Sequence, residues 1–276
     1  MPKYTKQIVV FLDILGFSNM LPGFEKEALD NADADENSYH ESPSLNRLLE
    51  KFKESIRLIT ERSCNHYMFS DNICITIDYV VEGTEQAALF LEIIQLVNLL
   101  NYEFIKEGYF LRGGIDAGWF LDSRDMAAGV PLLEAYQLES KVAVHPRIVV
   151  SESFGNLIDE MRRDNAFSED EEVVLDKILI DEGGLRYING FQHIQNFEVT
   201  SDKIDFLKMY RDKIISALAT FAGDVRIEPK YIWTANRFNS FLNDYVEGNE
   251  GYELADLWDE DQLLGIKNLS ILSYGI

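Results

Sequence analysis

The chain is poor in the residues that build disulfide frameworks and zinc sites. It has two cysteines, Cys64 and Cys74, in 276 residues, and we expect both to be reduced thiols, as is usual in the cytoplasm. The four histidines show no H-x-H or H-x-x-x-H spacing, which argues against a zinc site. The sequence also lacks the G-x-x-x-x-G-K-[ST] and G-x-G-x-x-G loops and the G-x-S-x-G elbow.

Basic residues are scarce relative to acidic ones. Lys and Arg number 25 against 48 Asp and Glu, so the formal net charge is −23. A surface this acidic repels phosphate backbones and acidic lipids, which argues against nucleic-acid or membrane partners. The longest apolar run, 87–100, is too short for a membrane span and is interrupted by Glu92 and Gln95. The N-terminal apolar run contains Asp13 and lacks a signal-peptide layout. We therefore expect a soluble, cytoplasmic protein.

Alternating strand-like and helix-like segments predict an α/β (α+β) fold. Residues 7–13 form a β-branched apolar run that is typical of a buried strand, and Ser42-Pro43 has the pattern of a helix start. A polar turn at 70–72 separates two predicted strands. The later predicted elements are a helix from about 84 to 106, a glycine-rich strand at 109–121, a loop at 122–129, a helix from about 131, short strands at 147–151, 178–181 and 187–191, and a capped helix after Ser168.

The order of these elements predicts an antiparallel or mixed sheet with helices on one side. We expect residues 1–200 to form the main domain and residues 201–276 to form a helical C-terminal extension packed on it. Two helices are predicted in this extension, at about 202–222 and 229–246. No Pro-rich or Ser-rich linker divides the chain.

Two acidic residues are candidates for metal binding. Asp13 lies in a predicted buried strand, where a carboxylate is costly unless it is paired, hydrogen-bonded or bound to metal; the alternative is a strand-end residue that caps the next turn. Asp71 lies in a predicted hairpin turn, where Asp is also an ordinary turn residue. A strand residue and the tip of an adjacent hairpin can converge, and two carboxylates suit Mg²⁺ or Mn²⁺. Two such ions could bridge a triphosphate.

Four segments together resemble the class III nucleotidyl cyclases. Residues 11–17, FLDILGF, are similar to the family's F-x-D-I-x-G-F signature, and FSDN at 69–72 falls where the family has its second metal aspartate. RGGIDAG at 112–118 resembles the R-x-G-I-x-x-G strand, and GVPLLEAYQLES at 129–140 resembles the helix that follows it. The resemblance is greatest to the bacterial Pycsar pyrimidine cyclases, which the runs HPRIVVS and KYIW also resemble.

This resemblance implies a lyase that converts UTP, or alternatively CTP, to the 3′,5′-cyclic monophosphate and pyrophosphate. The product would be a second messenger in antiphage defence that acts on a separate effector protein. The resemblance also implies two Mg²⁺ or Mn²⁺ ions per active site, held by Asp13, Asp71 and the backbone carbonyl of Ile14, with Arg112 binding phosphate. It further implies a head-to-tail homodimer in which each active site contains residues of both subunits. Overall resemblance favours UTP.

The base-binding positions depart from the purine cyclases. Tyr67 stands where adenine-selective enzymes carry a Lys, and its ring offers bulk and a stacking face that suit a smaller base. Met126 stands where those enzymes carry an adenine-reading Asp. Tyr67 and Met126, together with Phe17 and Arg112, are therefore the substrate-binding residues that we expect.

The transition-state residues of the family are also replaced. Its Asn and Arg correspond here to Leu133 and Gln137, neither of which can do the same work. Arg124, Lys141 and Arg147 are nearby cations that could neutralise phosphate, although a solvated or salt-bridged surface charge is the favoured interpretation of each. Three alternatives therefore remain open: a purine (adenylate or guanylate) cyclase, a catalytically inactive nucleotide-binding regulator with the cyclase fold, and a palm-type polymerase or dinucleotide cyclase.

Overall fold

The computed structural model describes residues 3–30, 40–79, 82–123, 126–250 and 269–271. The strands are β1 (Tyr4–Ile14), β2 (Asn65–Phe69), β3 (Asn72–Asp78), β4 (Leu111–Ser123), β5 (Met126–Gly129), β6 (Ile148–Val150), β7 (Leu179–Glu182) and β8 (Leu185–Ile188). The helices are α1 (Phe17–Asp30), α2 (Pro43–Glu61), α3 (Thr84–Lys106), α4 (Val130–Gln137), α5 (Glu152–Arg163), α6 (Glu169–Ile178), α7 (Thr200–Thr220) and α8 (Glu228–Glu250). A π-helical turn, Leu138–Val142, continues α4, and a 3₁₀ turn, Gly190–Asn196, follows β8.

The strands form one mixed sheet of 8 strands in the order β2-β3-β1-β4-β6-β8-β7, with β5 paired to β4. The pair β4–β6 is parallel, whereas the other pairs are antiparallel. β1 runs between β3 and β4, so that Leu12 faces Ile73 on one side and Asp13 faces Arg112 on the other. The predicted fold class, a mixed sheet flanked by helices, is confirmed.

Alternation along β1 divides the sheet into two buried faces. Ile8, Val10 and Leu12 point into the large core that the sheet forms with α2, α3, α5 and α6. Val9 points the other way, into a small cluster that includes Ala135 of α4. The expectation that helices lie on one side of the sheet is therefore wrong. Burial of both faces explains why the central strand is apolar at successive positions rather than alternating.

The predicted loop at 122–129 is instead a β-hairpin. β4 continues to Ser123 and pairs with β5, with Phe120 opposite Gly129 and Asp122 opposite Ala127. Phe120 is buried in the cluster with Val9, which ties the hairpin to the sheet. The polar run Asp122–Asp125 suggested a loop because tertiary pairing is invisible in local composition. Residues 30–42, a polar and acidic stretch that the sequence predicts to be a surface loop, lie largely outside the described residues.

Helix α1 was not predicted from the sequence, in which Gly16 indicates only a turn after the first strand. Gly16 adopts a positive φ of 79°, which reverses the chain between β1 and α1. The caps at Ser42 and Ser168 form as predicted, and the latter is a complete capping box.

The C-terminal helices α7 and α8 lie close to their predicted bounds. They enclose a second core whose largest buried members include Tyr210, Tyr231 and Phe238. Leu15 and Phe110, from the ends of the sheet strands, reach into this core. The division of the chain at residue 200 stays a prediction. Among the described residues, α3 alone is long and apolar enough to cross a membrane, and 56% of its most apolar window is buried in the protein.

Candidate active site

Asp13 and Arg112 form an ion pair at one end of the central strands. Asp13 is 9% exposed and precedes the last residue of β1. The antiparallel register places Arg112 of β4 directly opposite. Nε and Nη2 of Arg112 both lie 2.8 Å from Oδ2 of Asp13. The strand carboxylate is therefore paired, which is one of the states that makes its burial tolerable.

Glu139 is a second carboxylate on the same guanidinium. It lies on the π-helical turn after α4, is 3% exposed, and places Oε1 at 2.6 Å from Nη2 of Arg112. This approach is an ion pair without the alignment of a regular hydrogen bond. Arg112 thus connects β1 to the end of α4. Its Nη1 atom makes no contact of this kind within the described residues.

Asp71 brings a third carboxyl group to the site. It lies in the β2–β3 turn, where the preceding residue, Ser70, has a positive φ of 57°. The Asp71 carboxyl group lies close enough to Asp13 to raise the pKa of Asp13. The two carboxyl groups that the sequence singled out therefore meet. Convergence follows from the sheet order, because the β2–β3 hairpin lies beside β1 and its tip ends at the level of Asp13.

The electrostatics of this cluster favour a bound cation. Burial and the neighbouring Asp71 carboxyl raise the pKa of Asp13 to about 7, against the opposing effect of Arg112. Burial also raises the pKa of Glu139, again against Arg112. A carboxyl pair that retains a proton near neutral pH can exchange that proton for a divalent ion.

The donor set fits Mg²⁺ or Mn²⁺ with part of the shell left to other ligands. Within the described ranges, no group of three or more His, Cys, Asp or Glu side chains is arranged to hold a metal ion. Asp13 and Asp71 would therefore supply two carboxylates, and water, backbone or substrate oxygens would supply the rest. Mg²⁺ is commonly bound in this way, by one or two carboxylates and substrate phosphates.

Tyr67 lies on the same sheet face as Asp13, in register through β3. Its hydroxyl donates a hydrogen bond to Asp122 of β4. The Asp122 carboxylate also accepts from Nδ2 of Asn65 at 3.1 Å and from Oγ1 of Thr76 at 3.2 Å. Burial and Asp122 raise the pKa of Tyr67, so its proton stays on the hydroxyl. The phenolic oxygen is therefore oriented, with its remaining lone pair available as an acceptor.

The other expected site residues lie on separate elements. Phe17 begins α1 and packs against the large core, while Met126 begins β5 in the hairpin. Ile14 is buried at the end of β1. Leu133 and Gln137 both lie on α4, and Leu133 is 55% exposed. Their proposed roles stay predictions.

Of the nearby cations named from the sequence, Arg147 and Lys141 form no ion pair with the carboxylate cluster within the described residues. The guanidinium of Arg147 lies 5.5 Å from the ring centroids of both Tyr187 and Trp233. Lys141 is exposed on the π-helical turn, and Arg124 lies outside the described residues.

Three further residues belong to this region without having been assigned to it from the sequence. Glu139 was part of a recognised motif, and Lys230 was part of the KYIW run, so motif similarity was a usable signal for both. Asp122 carried no local signal. Only the tertiary structure, in which Asp122 of β4 accepts a hydrogen bond from Tyr67, places it at the site.

Comparison with known proteins gives a partial likeness to cyclase domains. No family model and no curated protein matches the chain. The adenylyl cyclase CyaB from P. aeruginosa is 19% identical, over 58% of this chain and 83% of its own, with a TM-score of 0.41. The monomeric guanylyl cyclase domain of the RhoGC fusion protein from the aquatic fungus Blastocladiella emersonii is 14% identical, over 67% of this chain and 95% of its own, with a TM-score of 0.45.

A third solved structure is the guanylate cyclase domain of RhGC from Catenaria anguillulae in complex with GTP. It is 15% identical, over 56% of this chain and 82% of its own, with a TM-score of 0.38. At these identities and scores, the likeness assigns neither a residue role nor an activity to this chain.

Proposed function

We propose that the protein is a nucleotidyl cyclase that converts a nucleoside triphosphate to its 3′,5′-cyclic monophosphate and pyrophosphate. The observation that carries the proposal is the contact between the Asp13 and Asp71 carboxyl groups, beside Arg112, at the end of the central strands. This cluster combines oxygen ligands for divalent ions with a guanidinium that can face phosphate. The motif resemblance of four segments supports the same chemistry.

The reaction forms one bond and breaks one. The ribose 3′-oxygen attacks the α-phosphorus in line, the bond from the α-phosphorus to the bridging oxygen breaks, and pyrophosphate leaves with that electron pair while the hydroxyl proton passes to water. Mg²⁺ or Mn²⁺ held by Asp13, Asp71 and the Ile14 carbonyl would lower the pKa of the hydroxyl and stabilise the leaving group. Arg112 keeps Asp13 aligned through Nε and Nη2, which leaves Nη1 for a phosphate oxygen.

We further propose a pyrimidine substrate, UTP in preference to CTP. Tyr67 occupies the position of the adenine-selective Lys, and its hydroxyl proton is committed to Asp122. An oriented acceptor suits the N3–H of uracil, whereas N3 of cytosine is itself an acceptor. The resemblance to Pycsar enzymes extends the proposal to a second messenger in antiphage defence with a separate effector. The purine alternative is decided by the assay below.

The active form is proposed to be a homodimer. Helix α4 exposes a stripe of three apolar side chains, spaced three residues apart. They are Val130, Leu133 and Tyr136, which are 74%, 55% and 49% exposed. Such a stripe on a chain with a net charge of −23 is unusual for a solvated surface. A second copy of the chain would cover it, and the family resemblance implies that each site of such a dimer would contain residues of both subunits.

The proposal is tested by incubating the purified protein with each of the four nucleoside triphosphates and Mn²⁺, with detection of products by mass. We expect cyclic UMP as the dominant product. Asp13→Asn and Asp71→Asn should each lower turnover by roughly a hundredfold or more, because each removes a carboxylate ligand.

Asp205→Asn is the matched control, since Asp205 is exposed on α7. It should retain full turnover. Dominant cyclic AMP or cyclic GMP would overturn the pyrimidine assignment. Substantial product from a folded Asp13→Asn protein would contradict the metal-ligand assignment.

A further inference from the structure

Lys230 is held beside the carboxylate cluster by its neighbours on and before α8. Ile227 is buried in the same core cluster as Leu15, the residue that follows β1. The ring of Tyr231 lies 5.0 Å from that of Phe110, next to the start of β4. Lys230 is therefore placed between two contacts that anchor the helix to the ends of the strands that carry Asp13 and Arg112.

The ammonium group of Lys230 interacts electrostatically with the site. It is half-buried, and burial together with Arg112 lowers its pKa, while Asp13 and Glu139 act in the opposite direction. It forms no ion-pair contact with a carboxylate in the part of the chain that the structure describes. A desolvated ammonium near a charged cluster, with no contacting counter-ion, has hydrogen-bonding capacity to offer an anionic ligand.

Two of the three guanidinium nitrogens of Arg112, in contrast, already contact carboxylates. Its Nη2 lies 2.8 Å from Asp13 and 2.6 Å from Glu139. Leu133 and Gln137, which replace the family's transition-state Asn and Arg, carry no charge. A further cation placed at the leaving pyrophosphate would stabilise the negative charge that develops there in the transition state.

We propose that Lys230 binds the polyphosphate of the substrate from the same subunit that carries Asp13 and Asp71, and stabilises the departing pyrophosphate. This inference rests on the proposed function. It assigns a role in substrate binding to the C-terminal extension: α8 supplies a phosphate-binding cation to the site at the end of the central strands.

The test compares Lys230→Met and Lys230→Arg with the wild-type full-length chain. Binding of inorganic tripolyphosphate in the presence of Mn²⁺ is measured by calorimetry, and pyrophosphate inhibition is measured in the turnover assay. Lys230→Met should weaken tripolyphosphate binding and pyrophosphate inhibition about tenfold or more, as expected for loss of a hydrogen bond to a charged group. It should lower kcat/KM by a similar factor. Lys230→Arg should retain most of both binding and turnover.

Lys208→Met is the control, because Lys208 is exposed on α7 and pairs with Asp205 at 3.8 Å. It should bind tripolyphosphate like the wild type. Thermal melting establishes that the Lys230 variants are folded, and uridine binding should be unchanged in them. A purely structural role for Lys230 would not move the pyrophosphate inhibition constant selectively.

The outcomes separate the two proposals. Unchanged tripolyphosphate binding in folded Lys230→Met, or no tripolyphosphate binding by the wild type, overturns the role of Lys230. Lys230-dependent tripolyphosphate binding without any cyclic product supports Lys230 and overturns the cyclase proposal. Equal turnover in wild type and Lys230→Met would agree with the cyclase proposal and would contradict the proposed role of Lys230.

Discussion

At the residue scale, the candidate site is distinguished by polar and charged side chains that are buried. Asp13 and Glu139 both pair with Arg112 in a largely buried cluster. Removal of one member of such a cluster costs more than its contact energy, because the others are left buried and unpaired. His193 is buried in a different setting. Its ring stacks on Tyr102 with centroids 4.1 Å apart, and no carboxylate contacts it within the described residues.

His193 should make stability depend on pH. Burial lowers its pKa to about 4, below the ordinary value near 6.5. The unfolded chain therefore binds the proton at a higher pH than the folded chain does. Stability should fall as pH drops from about 6.5 towards 4, with up to about 3 kcal/mol lost from this group.

The measurement is the free energy of urea unfolding at pH 5 and pH 7.5. His193→Gln should reduce the difference between these two values, whatever its effect on absolute stability. His40→Gln, at an exposed position, should leave the difference unchanged. Equal pH dependence in wild type and His193→Gln would count against this account.

At the element scale, the contact between α4 and β4 decides where Glu139 lies. Gly114 permits this contact: a Cβ there would lie 2.2 Å from the carbonyl oxygen of Ala135 and 2.7 Å from Cβ of Leu138. The helix backbone thus rests directly on the strand. The π-helical turn that carries Glu139 directly follows this contact between α4 and β4. The position of the carboxylate therefore depends on the absence of a side chain at Gly114.

Gly114→Ala should destabilise the protein by about 3 kcal/mol, because helix backbone rather than a flexible side chain must move. The same shift should displace Glu139 and lower turnover. Chemical unfolding and the turnover assay measure the two effects.

Gly23→Ala is the opposite control, since Gly23 lies inside α1 and a Cβ there meets nothing within 4 Å. It should be neutral or stabilise by up to about 1 kcal/mol through helix propensity. Wild-type stability in Gly114→Ala would contradict the close packing of α4.

At the scale of the whole molecule, the protein is strongly acidic and yet exposes an apolar face on helix α4. Repulsion between chains of net charge −23 opposes association, so a dimer requires a well-packed contact. The stripe of Val130, Leu133 and Tyr136 on α4 is the proposed contact. Because α4 leads into Glu139, association there would couple assembly to the geometry of the active site.

Leu133→Asp should therefore abolish the dimer and reduce turnover at least about tenfold, since a charge would be buried in an apolar contact. Light scattering gives the mass in solution. Val173→Asp, on α6 at 51% exposure, introduces the same change on a different surface and should have no effect on either quantity. A monomeric wild type with full turnover would refute the proposed dimer.

Local patterns predicted the elements well where neighbours in sequence decide the structure. The caps at Ser42 and Ser168 depend on backbone groups three residues away and were predictable. The hairpin turn at Asp71 was predictable for the same reason. The β4–β5 hairpin was missed because its polar tip resembles a loop, and the burial of Phe120 against Val9 depends on residues far apart in sequence.

The amino-acid sequence by itself indicated two carboxylates of the candidate site, because Asp13 interrupts an apolar strand and Asp71 lies in a turn between two others. The sequence also determined the net negative charge and the glycine of β4 that allows α4 to approach closely. Tertiary structure alone decided that Arg112 bridges Asp13 to Glu139, that Asp122 orients Tyr67, and that Lys230 of α8 lies beside them. Those interactions join residues from 27 to more than 200 positions apart, and no local pattern encodes a distance that only the packing of a sheet against its helices can set.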